Sequence, residues 1–184
     1  RIAKILGLEE ILNLSKKLNI YDEIPELLSV SLGAAETTLM NLTSAYAPFI
    51  NGGKKINPKL ISRIQDRRGK TIFNEKNMRC VGCDKFINND ETELPKIENY
   101  NKRVISEETA YQMTSILQGA VKRGTAKKLK SLNVPLAGKT GTTNDNYDAW
   151  FIGFSSNLII GVYIGFDNPK TLGKFETGSK AALP

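Results

Sequence analysis

Apolar residues recur at helical spacing in three stretches and at alternating spacing near the end of the chain. Over residues 2 to 18, Ile5, Leu8, Ile11, Leu12 and Leu18 share a face, with Lys4, Glu9, Glu10, Lys16 and Lys17 mostly opposite, which predicts an amphipathic helix. Over 36 to 49, Leu39, Leu42, Thr43, Tyr46 and Phe49 or Ile50 form a second stripe, stopped by Asn51-Gly52-Gly53. The clearest helix runs from Ser106 to Gly124. Ser106 can cap it, Glu107 and Glu108 suit the positive end of its dipole, Lys122 and Arg123 fill the last turn, and Gly124 ends it. Ala110, Met113, Ile116, Leu117, Ala120 and Val121 are its predicted buried stripe, a core face and not a cofactor site.

Alternation predicts the strands. Residues 58 to 73 read as a strand, a turn at Asp66 to Gly69 and a short return. Residues 74 to 103 read as polar and irregular, and about 77 to 103 as a loop insertion in one domain of residues 1–184. Leu136–Thr142, Ala149–Phe154 and Leu158–Phe166 read as three strands, the last two joined by Ser155-Ser156-Asn157. Sequential strands with tight turns pair antiparallel. In the last strand Leu158, Ile160, Val162, Ile164 and Phe166 share a face. Gly161 and Gly165, with Gly153 of the strand before, are expected to let the Ser106 helix come close. The predicted class is α+β, an antiparallel sheet with packed helices.

Composition narrows the chemistry. The chain has 184 residues, enough for a real core, and its longest apolar run, Leu158 to Phe166, is too short to span a bilayer as a helix. No secretory signal is visible and the chain begins at Arg1, so it reads as a piece of a longer protein. Histidine is absent, which excludes a Ser-His-Asp or Cys-His centre and any histidine-ligated metal; no metal site and no cofactor are expected. A net charge of +7 favours anionic partners. The basic pairs Lys16-Lys17, Lys54-Lys55, Arg67-Arg68 and Lys127-Lys128 are dispersed without interleaved aromatics, which reads as a solvated surface and not as a nucleic-acid site. The two cysteines, Cys80 and Cys83, form one C-x-x-C in a polar stretch. A zinc ribbon needs a second pair. A loop-pinning disulfide is the preferred reading, with free thiols or half of a shared metal site as alternatives.

The chemically suggestive segment is Lys139-Thr140-Gly141-Thr142-Thr143, after the extended Val134-Pro135-Leu136-Ala137-Gly138. One lysine, several hydroxyls and a glycine on a strand make a positive, donor-rich edge, suited to a ligand with a carboxylate and a backbone that can pair. A bare Lys-Thr-Gly is more often a plain strand end, since tripeptides recur by chance. A phosphate-binding loop ending in Gly138-Lys139-Thr140 would need glycine five positions before Gly138, and Asn133 stands there.

Context decides between these. Ala137-Gly138-Lys139-Thr140-Gly141-Thr142-Thr143-Asn144-Asp145, followed by Asp148-Ala149-Trp150-Phe151-Ile152-Gly153, resembles the penicillin-binding protein transpeptidase family, most closely its bifunctional class A members. Ser31-Leu32-Gly33-Ala34, Ala45-Tyr46-Ala47 and Asn51-Gly52-Gly53 resemble the family's segment before the sheet. Val121-Lys122-Arg123-Gly124-Thr125-Ala126, Val162-Tyr163-Ile164-Gly165-Phe166-Asp167-Asn168-Pro169 and Thr177-Gly178-Ser179 resemble later segments in the same order. The likeness covers nearly the whole chain apart from about 77 to 103. It implies part of a penicillin-binding protein transpeptidase or serine β-lactamase-like fold.

The departures are specific. No serine has lysine three positions later, so the family's Ser-x-x-Lys nucleophile motif is missing; Thr125 and Lys128 have the spacing but follow a helix stop. Ser131-Leu132-Asn133 and Ser155-Ser156-Asn157 match the letters of the family's Ser-x-Asn motif but sit in a linker and a turn. The family places both motifs earlier in the chain, so this sequence is expected to be the C-terminal part of a transpeptidase domain. The resemblance implies acyl transfer from the D-alanyl-D-alanine end of a peptidoglycan stem peptide, with β-lactams acylating the same serine. It casts Lys139 as the catalytic cation. Thr140, Gly141, Thr142 and Thr143 become substrate-binding residues, with the Thr142 N–H an oxyanion donor. Asp148 and Trp150 read as structural. The expected setting is the outer face of the cell membrane, in a membrane-anchored parent that carries a glycosyltransferase domain. Expected partners are stem peptides, β-lactams, the missing part of the domain and copies of the chain itself. Two alternatives stay open: a catalytically inactive penicillin-binding-like module, and a basic nucleic-acid-binding domain.

Overall fold

The computed structural model describes residues 1–21, 23–75, 78–81, 96–99 and 101–184. They fall into two units, Arg1–Ile56 with Arg103–Pro184, and Asn57–Lys102.

In the first unit the expected helix over 2 to 18 is two helices, α1 (Ile2–Leu6) and α2 (Leu8–Leu18). Gly7 separates them at φ 88° and ψ 150°, a conformation open to glycine and closed to most residues. Asn19 ends α2 in the left-handed region, its N–H donating to the Lys16 and Ser15 carbonyls. A 3-10 turn covers Leu28–Leu32. The second expected helix starts later and is also divided, into α3 (Leu39–Ala45) and α4 (Ala47–Ile50). The Thr38 hydroxyl caps α3 by accepting from Asn41 N–H at 3.1 Å. Pro48 sits in the first turn of α4, where its missing N–H costs no helical bond.

Helix α5 (Glu107–Arg123) forms as the sequence predicts, with the Ser106 hydroxyl accepting from Thr109 N–H. Its buried face is narrower than expected. Ala110, Leu117 and Val121 are buried, whereas Ile116 is 65% exposed. The helix packs along one line of residues spaced by four and seven, and Ile116 lies off that line.

Three antiparallel strands form the sheet of this unit, β5 (Ala137–Thr142), β6 (Ala149–Phe154) and β7 (Ile159–Ile164), in that order. Ser155 N–H donates to the Leu158 carbonyl and closes the β6–β7 turn. The register aligns Lys139 with Ile152 and Gly161, and Thr140 with Phe151 and Val162. Gly153 pairs with Ile160, so it faces opposite to Gly161. Gly161 does admit a helix, but that helix is α3: a Cβ there would meet Thr43 and Leu39. Helix α5 packs on β5 instead. Alternation shows which residues share a face, not which helix covers it. One core gathers Val121, Ala126, Ala149, Phe151, Ala182 and Leu183; the other gathers Leu117, Ala137 and Phe154 beneath Tyr46 and Phe49. Among the described residues, no helix is long and apolar enough to cross a membrane.

In the second unit β1 (Arg63–Gln65) pairs antiparallel with β2 (Thr71–Asn74) through the predicted turn. The Asp66 carboxylate accepts from the N–H groups of Arg68 and Lys70, and Gly69 takes φ 80°. The stretch read as irregular contains a second antiparallel pair, β3 (Met78–Val81) and β4 (Lys96–Asn99). Cys80 on β3 is disulfide-bonded; Cys83 lies outside the described residues.

Candidate active site

Strand β5 is a sheet edge. Among the described strands it bonds only β6, so one row of its backbone groups faces away from the sheet. Its first residues, Ala137 and Gly138, are buried, Lys139 and Thr142 are exposed, and Thr140 between them is buried. Gly138 is required by packing: a Cβ there would lie 2.8 Å from the Ile152 carbonyl oxygen and 3.0 Å from the Phe151 ring. The ring of Phe151 lies across Gly138 and Gly153, which locks the buried half of β5 onto β6.

All five predicted site residues lie together on β5 and the residue after it. Lys139 is exposed, and its ammonium donates to the Thr140 carbonyl at 2.5 Å. Thr140 is 9% exposed, and its hydroxyl is 2.8 Å from that of Thr125. Gly141 is half-buried, while Thr142 and Thr143 are exposed. The Thr142 hydroxyl accepts from Gly178 N–H at 3.0 Å, which ties the closing segment to the exposed end of the strand. A Cβ at Gly178 would strike the carbonyls of Gly141 and Trp150, so only glycine lets the backbone pass there.

The loop after β5 is held at its base. Thr143 N–H donates to the Asp148 carbonyl at 3.2 Å, and Asp148 N–H donates to the Thr143 hydroxyl at 2.8 Å. The Asp148 carboxylate accepts from the Tyr163 hydroxyl at 2.9 Å. That bond holds the Tyr163 hydroxyl above its ordinary pKa, because ionised tyrosine would lose its donor proton. Tyr163 also lies against Trp150, with ring centroids 4.6 Å apart. Asp148 and Trp150 thus brace the β6–β7 end of the site. Sequence reasoning missed three partners: Thr125, Tyr163 and Gly178. Each lay in a segment that carried the family resemblance, but no local pattern paired it with β5 or Asp148.

The arrangement offers a cation, hydroxyl donors and a strand edge to an extended anionic ligand. A positive, donor-rich strand edge of this kind suits an extended ligand that carries a carboxylate. The sequence matches the penicillin binding protein transpeptidase domain over residues 25–183, and the chain belongs to that family. Its relatives are class A members. It is 43% identical over 187 residues to penicillin-binding protein 1A of Rickettsia prowazekii, an alignment covering 100% of this chain and 24% of the relative. It is 36% identical over 215 residues to penicillin-binding protein 1A of Pseudomonas aeruginosa, covering 100% of this chain and 26% of the relative. The crystal structure of penicillin-binding protein 1A from Haemophilus influenzae superposes with a TM-score of 0.81 at 32% identity, over 98% of this chain and 30% of that one. The chain thus spans about a quarter of the curated relatives it matches.

Proposed function

We propose that this chain is the C-terminal part of a D,D-transpeptidase domain that cross-links peptidoglycan, and that it supplies the substrate-carboxylate wall of the active site. The observation that carries the reading is the exposed Lys139 on an edge strand, with Thr140, Thr142 and Thr143 beside it, in a chain matching the family along most of its length. A serine supplied by the rest of the domain attacks the penultimate carbonyl of a stem peptide. The terminal D-alanine leaves, and an amine of a second stem peptide resolves the acyl-enzyme. Lys139 is the cation that neutralises the donor carboxylate and serves the proton-transfer network. Thr140 and Thr142 hydroxyls donate to the carboxylate. The Thr142 N–H is one oxyanion donor, and Gly141 lets the ligand backbone approach.

On this reading β-lactams acylate the same serine. A structurally similar protein, penicillin-binding protein A of Mycobacterium tuberculosis, has a solved imipenem acyl-enzyme complex; at 18% identity and a TM-score of 0.56 it supports the fold alone. The work is done at the outer face of the cell membrane, in a membrane-anchored protein with a glycosyltransferase domain and no cofactor. The test uses a fluorescent penicillin on the whole protein and on this chain alone, read by denaturing electrophoresis. The whole protein should label and lose the label to unlabelled penicillin. This chain alone should stay dark, since no serine in it precedes lysine by three positions. A whole protein that never labels is the inactive binding module instead.

A further inference from the structure

Helix α5 hands the chain directly to Gly124-Thr125-Ala126, and both neighbours of Thr125 are fixed. The Ala120 carbonyl accepts from Gly124 N–H at 3.1 Å and from Ala126 N–H at 3.0 Å. A Cβ at Gly124 would lie 2.8 Å from the Ala120 Cα, a backbone atom that cannot yield, so glycine is required. Ala126 is fully buried at 0% exposure. Between these pinned residues Thr125 is exposed, and its hydroxyl reaches Thr140 on β5 at 2.8 Å. Thr140 is itself nearly buried, so its hydroxyl has few other directions to turn.

Two hydroxyls sharing one hydrogen bond need one donor, and each carries a single hydrogen. If Thr140 donates to Thr125, it has no hydrogen left for a ligand. If Thr125 donates, the Thr140 hydrogen is free. We propose that Thr125 is a positioning residue: it donates to Thr140 and so aims the Thr140 O–H at a carboxylate bound along β5. The inference rests on the reading of β5 as the carboxylate wall. An anion beside Thr140 selects this direction of the pair, and each bond in the chain Thr125, Thr140, carboxylate polarises the next. Thr125 acts only through Thr140 and touches no reacting atom.

The test uses the whole protein. Thr125→Val removes the hydroxyl and keeps the shape; Thr125→Ser keeps the hydroxyl. Acylation rates are measured with a β-lactam that has a free carboxylate and with its methyl ester, beside the thermal midpoint. Thr125→Val should slow acylation by the free acid roughly fivefold, the size of one lost neutral hydrogen bond, and spare the ester and the midpoint. Thr125→Ser should recover to within about twofold of the parent. On a Thr140→Val background, Thr125→Val should add nothing. If Thr125→Val is insoluble, Thr125→Ala against Thr125→Ser gives the same comparison. Equal slowing with acid and ester, failure of serine to restore, or an additive double variant overturns the inference. Normal acylation that ignores Thr125→Val overturns it while leaving the proposed function intact. An unsubstituted protein that is never acylated overturns both.

Discussion

The two edges of the sheet expose opposite chemistry. On β5 the exposed positions are Lys139 and Thr142, and the rest of the strand is buried or half-buried. On β7 the exposed side chains include Ile160 at 52%, Tyr163 at 41% and Ile164 at 36%, with Leu158 and Phe166 exposed just beyond. Both edges border the same well-packed β6, so packing density does not separate them. Exposed polar donors on a rigid strand are an offer to a polar ligand, whereas exposed apolar residues carry a hydration cost that a cover would remove. One edge presents polar donors, the other apolar side chains.

The largest expected effect tests the β5 half of that contrast. In the whole protein, Lys139→Ala should slow β-lactam acylation by about a hundredfold. That is ~3 kcal/mol of lost stabilisation from a cation beside a carboxylate in a partly dewatered groove. The thermal midpoint should stay near the parent value, because Lys139 is exposed and, among the described residues, its ammonium bonds only the neighbouring Thr140 carbonyl. Near-normal acylation with a lowered midpoint would make Lys139 a structural residue and remove the main reason for placing the site on β5.

Much of the fold is legible in the sequence. The Ser106 cap, the two glutamates after it and Gly124 marked α5 because caps and dipole charges are local signals. Alternation and the Ser155-Ser156-Asn157 turn marked β6 and β7 for the same reason. The misses are of another kind. Gly7 breaks the first helix through its own dihedrals, a local signal passed over because the apolar stripe continues across it. The partner of the Gly161 face and the pairing of Thr125 with Thr140 depend on tertiary placement, which periodicity does not encode. The same is true of Tyr163 and Asp148, fifteen residues apart and joined only because β6 and β7 pair.

A second pair of substitutions sharpens the comparison through stability. Gly138→Ala on β5 would push a methyl group into the Ile152 carbonyl and the Phe151 ring, both fixed. It should destabilise by about 2 kcal/mol, as overpacking in a rigid site does. Gly161→Ala on β7 meets side-chain atoms only, of Thr43, Leu39 and Ile152, although the Thr43 hydroxyl must leave its bond to the Leu39 carbonyl to make room. It should cost less, about 1 kcal/mol. Chemical denaturation of the two variants checks the order. A reversal would mean that β7 and α3 are the more rigid pair.

The β7 half of the contrast predicts self-association. This chain alone should dimerise or aggregate as concentration rises, seen by light scattering. Ile160→Thr with Ile164→Thr should raise the concentration of half-association by roughly tenfold, about 1.4 kcal/mol from two isoleucines no longer buried in the contact. A monomer at high concentration, or association indifferent to both substitutions, would deny β7 its role as uncovered surface.

The smallest effect concerns the brace between the two edges, the Tyr163 hydroxyl on the Asp148 carboxylate. The bond is exposed and neutral on one side, so Tyr163→Phe should cost about 0.5 kcal/mol at neutral pH. Its pH dependence has a definite sign. The folded protein holds the tyrosine proton more tightly than the unfolded chain, because the hydrogen bond to Asp148 needs that proton. The contribution is therefore complete below the ordinary tyrosine value of 10.0 and fades as pH rises through the higher folded value. Thermal midpoints of the parent and Tyr163→Phe should differ by a constant small amount up to about pH 10 and converge above it. No gap at neutral pH would mean that Tyr163 contributes through its ring against Trp150, which phenylalanine keeps, and not through its hydroxyl. The β7 edge would then brace the site by packing alone.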